Sequence, residues 1–159
     1  MKVVKGDLIK MAKEGKFDVI VQGCNCFCKM GKGLAKQICD ELPEAYEADC
    51  VTKPGDKNKL GDFSFAMIRR HDLTNFFVIN AYTQYDYRPT YEDDDISRVN
   101  YDAVRSVFKL IKERFGYTRI GYPKIGCGLA GGIWSIVEKI IDEELEGCDH
   151  TLVDYGPNI

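Results

Sequence analysis

A chain of 159 residues with 45% hydrophobic and 30% charged side chains has the composition of a soluble globular protein and the length to bury one core. Its formal net charge of −3 lacks the basic excess of a protein that tracks a phosphodiester backbone, so the chain carries no strong nucleic-acid signal. No apolar run approaches the roughly 20 residues that cross a bilayer and no signal pattern opens the chain, so a cytoplasmic protein without a membrane partner is expected.

In chain order, residues 2–5 read as a short first strand, followed by Gly6, Asp7 and a one-turn helix through Met11. The β-branched run over 17–21 predicts a strand buried on both faces. Residues 33–42 carry helical spacing in Leu34, Ile38 and Leu42, and Pro43 stops or restarts that helix. A polar turn over 54–59 precedes two strands, 63–68 and 76–81, joined by a hairpin-like link.

Residues 82–98 form a long aromatic and acidic loop centred on Asp93, Asp94 and Asp95; loops of this length are functional or disordered. A helix follows from Val99, with Ala103, Val107, Leu110 and Ile111 on one stripe. Residues 119–122 read as a strand feeding a glycine-rich loop. Ile133, Ile136, Val137, Ile140, Ile141 and Leu145 then repeat at helical spacing, and residues 151–153 close the chain as a strand. Strands alternating with helices predict one α/β domain over 1–159, with a mixed sheet of about six strands between helical layers. Ligands in such sheets gather at the carboxyl ends of the strands.

Seven cysteines, including the Cys24, Cys26, Cys28 alternation, do not follow disulfide-framework spacing. Structural zinc takes paired ligands that this chain does not supply cleanly, so reduced thiols and no metal are expected. The stretch 121–134, Gly-Tyr-Pro-Lys-Ile-Gly-Cys-Gly-Leu-Ala-Gly-Gly-Ile-Trp, is more informative. Glycine lets successive backbone amides converge on an anion, and the helix starting near Ile133 adds its N-terminal amides and dipole. The plainer reading is a glycine-rich turn that binds nothing. A second glycine segment, Gly31 to Gly33, also follows a strand and precedes a helix, so the two are expected to meet at one sheet edge.

Taken together, Gly6-Asp7-Leu8, the Cys24-Asn25-Cys26 run leading to Gly31-Lys32-Gly33, the Pro123-Lys124-Ile125-Gly126-Cys127-Gly128 loop with Trp134, and the closing Asp154-Tyr155-Gly156 resemble the macro domain over essentially the whole chain. The pattern is most similar to the subgroup of terminal ADP-ribose protein glycohydrolases and ADP-ribose-1″-phosphate phosphatases. The resemblance implies a three-layer α/β/α macro fold that binds ADP-ribose as a monomer without a cofactor.

It also implies roles for single residues. Asp7 matches an aspartate that accepts from the adenine amino group, although an Asp there also suits a helix N-cap. Leu8 follows it at the same strand end. Asn25 matches the asparagine beside the distal ribose and is the candidate catalytic residue; the alternative is an asparagine that satisfies turn backbone. Gly31 and Gly33 would close over the distal ribose, with Lys29 and Lys32 beside them. Ile125, Gly126, Cys127, Gly128, Leu129, Ala130 and Gly131 would wrap the diphosphate, and Tyr155 either stacks on adenine or is an ordinary half-buried tyrosine.

One departure bears on catalysis. The glycohydrolases attack with a lysine that falls here near Cys39, and its aspartate partner falls at Ala130. An alanine cannot act as acid or base, which disfavours the covalent lysine route. Hydrolysis of ADP-ribose-1″-phosphate asks less, since the substrate's own phosphate can assist a water; the alternatives are a non-catalytic reader or another ADP-ribosyl hydrolase.

Overall fold

The computed structural model describes residues 1–69, 75–88, 98–128 and 130–156; the Asp93 to Asp95 run and Leu129 lie outside them. In chain order the elements are β1 (Lys2–Gly6), α1 (Leu8–Lys13), β2 (Val19–Cys24), α2 (Gly33–Glu41), α3 (Pro43–Val51), a 3-10 turn (Lys57–Lys59), β3 (Phe63–Ile68), β4 (Phe76–Tyr82), α4 (Tyr101–Phe115), β5 (Arg119–Tyr122), α5 (Trp134–Glu144) and β6 (Asp149–Tyr155).

The strands form one six-stranded sheet in the order β1-β6-β5-β2-β4-β3. Every neighbouring pair is parallel except β3, which runs antiparallel to β4. The carboxyl ends of β1, β6, β5, β2 and β4 therefore share one edge, and both glycine segments leave from it. One face packs Val19, Val21 and Ile79 against Val104, Val107 and Phe108 of α4 and Val137 and Ile141 of α5. The other packs Ile20 and Val78 against Ile9 of α1, Ile38 of α2 and Ala45 of α3. This is the mixed, three-layer α/β/α arrangement that the sequence leads one to expect.

The differences are local and have physical causes. β2 begins at Val19 and reaches Cys24 because its ladder with β4 pairs residues through Cys24↔Tyr82. Asp18 instead takes the Arg119 amide and guanidinium at 2.8–3.0 Å. The Phe17 ring lies over Gly121, where a Cβ would fall 2.8 Å from Cδ2. Pro43 both ends one helix and starts the next, standing at the first position of α3 where its missing N–H costs nothing. β6 extends to Asp149 and Tyr155 because it is paired on both sides. Ile133 is the N-cap of α5 and Ile136 lies one residue off the Val137, Ile140, Ile141 stripe, so both are exposed rather than core.

Candidate cleft at the carboxyl edge of the sheet

Beyond β2 the chain makes a tight loop around the Asn25 side chain. Its Oδ1 accepts from the amides of Phe27 (2.9 Å) and Lys29 (3.4 Å), and its Nδ2 donates to the Lys29 carbonyl (2.8 Å). These bonds carry Cys28 into the left-handed region at φ 58°, a conformation that costs a non-glycine residue about 1–2 kcal/mol. The turn-forming alternative for Asn25 is thus realised. One Nδ2 hydrogen remains beyond the bond to Lys29, because a primary amide carries two.

A buried polar network supports this loop from below. Lys59, 8% exposed, donates to the Cys26 carbonyl at 3.0 Å and to Cys28 Sγ at 3.6 Å, with its ammonium 4.7 Å from the Tyr82 ring centre. Tyr82 donates to Asp49 Oδ1 at 2.7 Å. Burial pushes the Asp49 carboxyl above the usual range, opposed by the Tyr82 hydrogen bond and by Lys59. The loop then delivers Gly31, Lys32 and the start of α2, whose N-cap Lys32 makes no side-chain capping bond.

The 123–132 loop is built by its own backbone. Ile125 N donates to Pro123 O, Cys127 N to Lys124 O, Gly131 N to Gly128 O and Gly132 N to Gly126 O, at 2.7–3.2 Å. Gly126 adopts φ 73°, and a Cβ there would sit 2.4 Å from Val99 Cγ2. A Cβ on Gly132 would meet the Gly126 carbonyl at 2.6 Å. These two glycines are required by chain packing. Gly128 and Gly31 differ: a Cβ on either meets nothing within 4 Å. The amides of Cys127 and Gly131 are engaged inside the loop, whereas those of Gly126 and Gly128 have no partner among the described residues.

The two segments meet, as expected, around a cavity of about 1090 Å³. Asn25, Gly31, Gly33, Ile125, Gly126, Gly128 and Ala130 all line it. The helix N-terminus in its wall is that of α2, through Gly33 and Leu34, and not that of α5, whose Ile133 amide is taken by the Tyr101 hydroxyl at 3.1 Å. Cys127 and Gly131 support the loop without lining the cavity. Asp7, Leu8 and Tyr155 stand apart from its walls. Asp7 caps α1 by accepting from Lys10 N at 3.1 Å, Leu8 packs its side chain in the core, and Tyr155 is 80% exposed. The Gly6↔Tyr155 pairing nevertheless sets Asp7 and Tyr155 side by side at the same sheet edge.

The walls also contain residues the sequence did not single out: Gln22, Tyr46, Arg88 and Arg98. Gln22 donates to Asn80 Oδ1 at 2.8 Å, while its buried Oε1 has no partner among the described residues. Its signal was a lone amide inside a β-branched strand. Lys29, Lys32, Arg88, Arg98 and Lys124 line the cavity, and no described wall residue is a carboxylate. Arg88 is paired with Asp86 at 2.8 Å and Lys124 with Asp154 at 3.8 Å, whereas Lys29 and Lys32 have no ion pair among the described residues. Burial pushes the Cys24 thiol well up and the Cys26 thiol to about 11, and it raises Cys127 against the pull of Lys124. Burial thus favours the neutral thiol over the thiolate at these three positions. The site is a basic, amide-bearing cleft suited to holding an anion.

Comparison with known proteins agrees with this geometry. The family model for the Macro domain matches residues 21–141. The chain is 34% identical over 165 residues to an uncharacterised 17.5 kDa protein of Enterobacteria phage T4, covering 99% of this chain and 97% of that one. It is 28% identical over 152 residues to the ADP-ribose glycohydrolase OARD1 of Bos taurus, covering 96% and 88%. Among solved structures, Thermosipho africanus DarTG in complex with ADP-ribose superposes with a TM-score of 0.71 at 20% identity, over 98% of this chain and 41% of that one. The match to the family model, together with the phage relative, shows that the chain belongs to the Macro domain family.

Proposed function

We propose that this chain binds ADP-ribose at the carboxyl edge of its sheet and hydrolyses ADP-ribose-1″-phosphate to ADP-ribose and phosphate. The observation that carries this reading is the cleft wall, where five basic side chains meet the amides of Gly126 and Gly128, which have no partner among the described residues, with no described carboxylate. A diphosphate lies against the Gly126 and Gly128 amides, and the distal ribose lies between Asn25 and Gly31. Asp7 and Tyr155 extend the site to the adenine, accepting from its amino group and stacking on its ring. The OARD1 relative, a glycohydrolase by name, and the ADP-ribose complex of the DarTG neighbour support this ligand class.

For the phosphatase step, Lys29 and Lys32 neutralise the terminal phosphate, and the Asn25 amide orients the anomeric oxygen or the attacking water. The phosphoester is hydrolysed as water adds its oxygen and the sugar hydroxyl leaves with a proton. Positioning and charge stabilisation carry this chemistry, because neither a carboxylate nor a histidine stands among the described wall residues. That same lack favours a second reading, a non-catalytic reader of free or protein-linked ADP-ribose. One paired experiment separates them: calorimetry with ADP-ribose beside phosphate release from ADP-ribose-1″-phosphate. Binding with release that collapses in Asn25→Ala supports the phosphatase, binding without release supports the reader, and failure to bind overturns both.

A further inference from the structure

The contact between Lys59 and Cys28 plays no part in ligand binding as described above, and its chemistry is distinctive. A lysine ammonium and a cysteine sulfur, 8% and 7% exposed, face each other at 3.6 Å. Both are held in place. Lys59 Nζ is anchored by the Cys26 carbonyl at 3.0 Å and by the Tyr82 ring, and Cys28 Sγ donates to the Asp49 carbonyl at 3.2 Å. Cys28 is a wall residue of the cleft and Lys59 is not, so a small oxidant in the cleft approaches the pair from the Cys28 side.

We propose that Cys28 and Lys59 are a modification site, where peroxide converts the pair into a covalent Sγ–Nζ sulfenamide that ties the cleft loop to the 3-10 turn. In the first step the thiol sulfur takes one oxygen from peroxide, giving a sulfenic acid and water. In the second, the Lys59 amine, having released a proton from its ammonium to solvent, attacks that sulfur, and the sulfenic oxygen leaves as a second water. The sulfur is oxidised by two electrons, the peroxide is reduced by two, and no other reactant is needed. Lysine's flexible stem supplies the approach that closes 3.6 Å to a bond. A thiol reductant reverses the link by attacking sulfur and releasing the amine. The consequence is mechanical. The segment that carries Asn25 and leads to α2 becomes bonded to residue 59, fixing one wall of the cleft.

The test is peroxide treatment of the intact chain, followed by mass spectrometry and a peptide map under non-reducing conditions. The expected product is about 2 Da lighter, yields a cross-linked peptide containing Cys28 and Lys59, and reverts with dithiothreitol. Cys28→Ser and Lys59→Arg each abolish the cross-link; Lys59→Met serves as a second lysine variant should arginine not fold, with folding checked by thermal melt. A disulfide between two cysteines as the product overturns the proposal, as does Cys28 advancing to sulfinic acid while the Lys59 peptide stays free. The readout needs no ligand, so it stands or falls independently of ADP-ribose binding.

Discussion

Two glycines of one loop, separated by a single residue, should fail in opposite ways when given a side chain. In Gly126→Ala the new methyl would sit 2.4 Å from Val99 Cγ2 with the backbone at φ 73°. The left-handed conformation costs about 1–2 kcal/mol and the overpacking about 1–3 kcal/mol more, so ~2–5 kcal/mol of stability is lost. For a chain of this size that lowers Tm by roughly 5–15 °C. In Gly128→Val the Cβ meets nothing within 4 Å, so stability changes by less than about 0.5 kcal/mol. The valine instead projects into the space assigned to the diphosphate and weakens ADP-ribose binding by at least about tenfold, or 1.4 kcal/mol. Differential scanning fluorimetry and calorimetry on the two variants read both effects. If Gly126→Ala melts with the parent, or Gly128→Val binds as well as the parent, the division of the loop into packing and ligand-facing glycines is wrong.

Three further outcomes follow from the same geometry. Asn25→Ala removes all three hydrogen bonds that shape its loop, so it should lose about 1–3 kcal/mol in denaturant unfolding as well as phosphate release. Lys32→Glu reverses an exposed cation with no ion pair among the described residues; it should weaken ADP-ribose about tenfold at low salt and less at high salt, as calorimetry at two ionic strengths would show. His150 Nδ1 and the Tyr122 hydroxyl share a hydrogen bond of 2.6 Å, and burial, aided by the Met1 ammonium and opposed by Asp142 and Asp149, holds the His150 pKa below the usual value. The unfolded chain then takes up the proton first, so stability is level above about pH 6.5 and falls as pH drops below it, a slope that thermal melts should find flattened in His150→Asn.

Legibility varied with the kind of physics involved. The α4 and α5 stripes and the β-branched strands were readable because one face of each meets one core, and periodicity records that directly. Strand ends were less readable: β2 gains Gln22 to Cys24, and β6 gains Asp149, His150, Asp154 and Tyr155, through partners distant in sequence. The glycine loop was read as an anion cradle throughout, but Gly126 and Gly132 are glycine because Val99 and a carbonyl leave no room. Lys59 was invisible. A lysine is exposed by default, and its partners Cys26, Cys28, Asp49 and Tyr82 come from three separate segments. Gln22, by contrast, was visible as an amide in an apolar run and was passed over.

The net charge of −3 and the basic cleft are compatible because charge acts locally here. Several acids are paired away from the cleft walls: Asp18 with Arg119, Glu143 and Glu144 with Arg105, and Asp40 with Lys36. Screening over about 8–10 Å confines each pair to its own surface, leaving Lys29 and Lys32 to set the field at the mouth of α2. The same segregation limits the chemistry. Among the described residues the wall holds neither a carboxylate nor a histidine, which suits it to phosphate. A substrate with a terminal phosphate beside the scissile bond brings a base of its own, which such a wall would accommodate. A glycosidic bond to a protein side chain brings none, so phosphate release from ADP-ribose-1″-phosphate, measured beside ADP-ribose release from a modified protein, tests whether the described wall sets the reaction: faster glycohydrolysis would refute that reasoning.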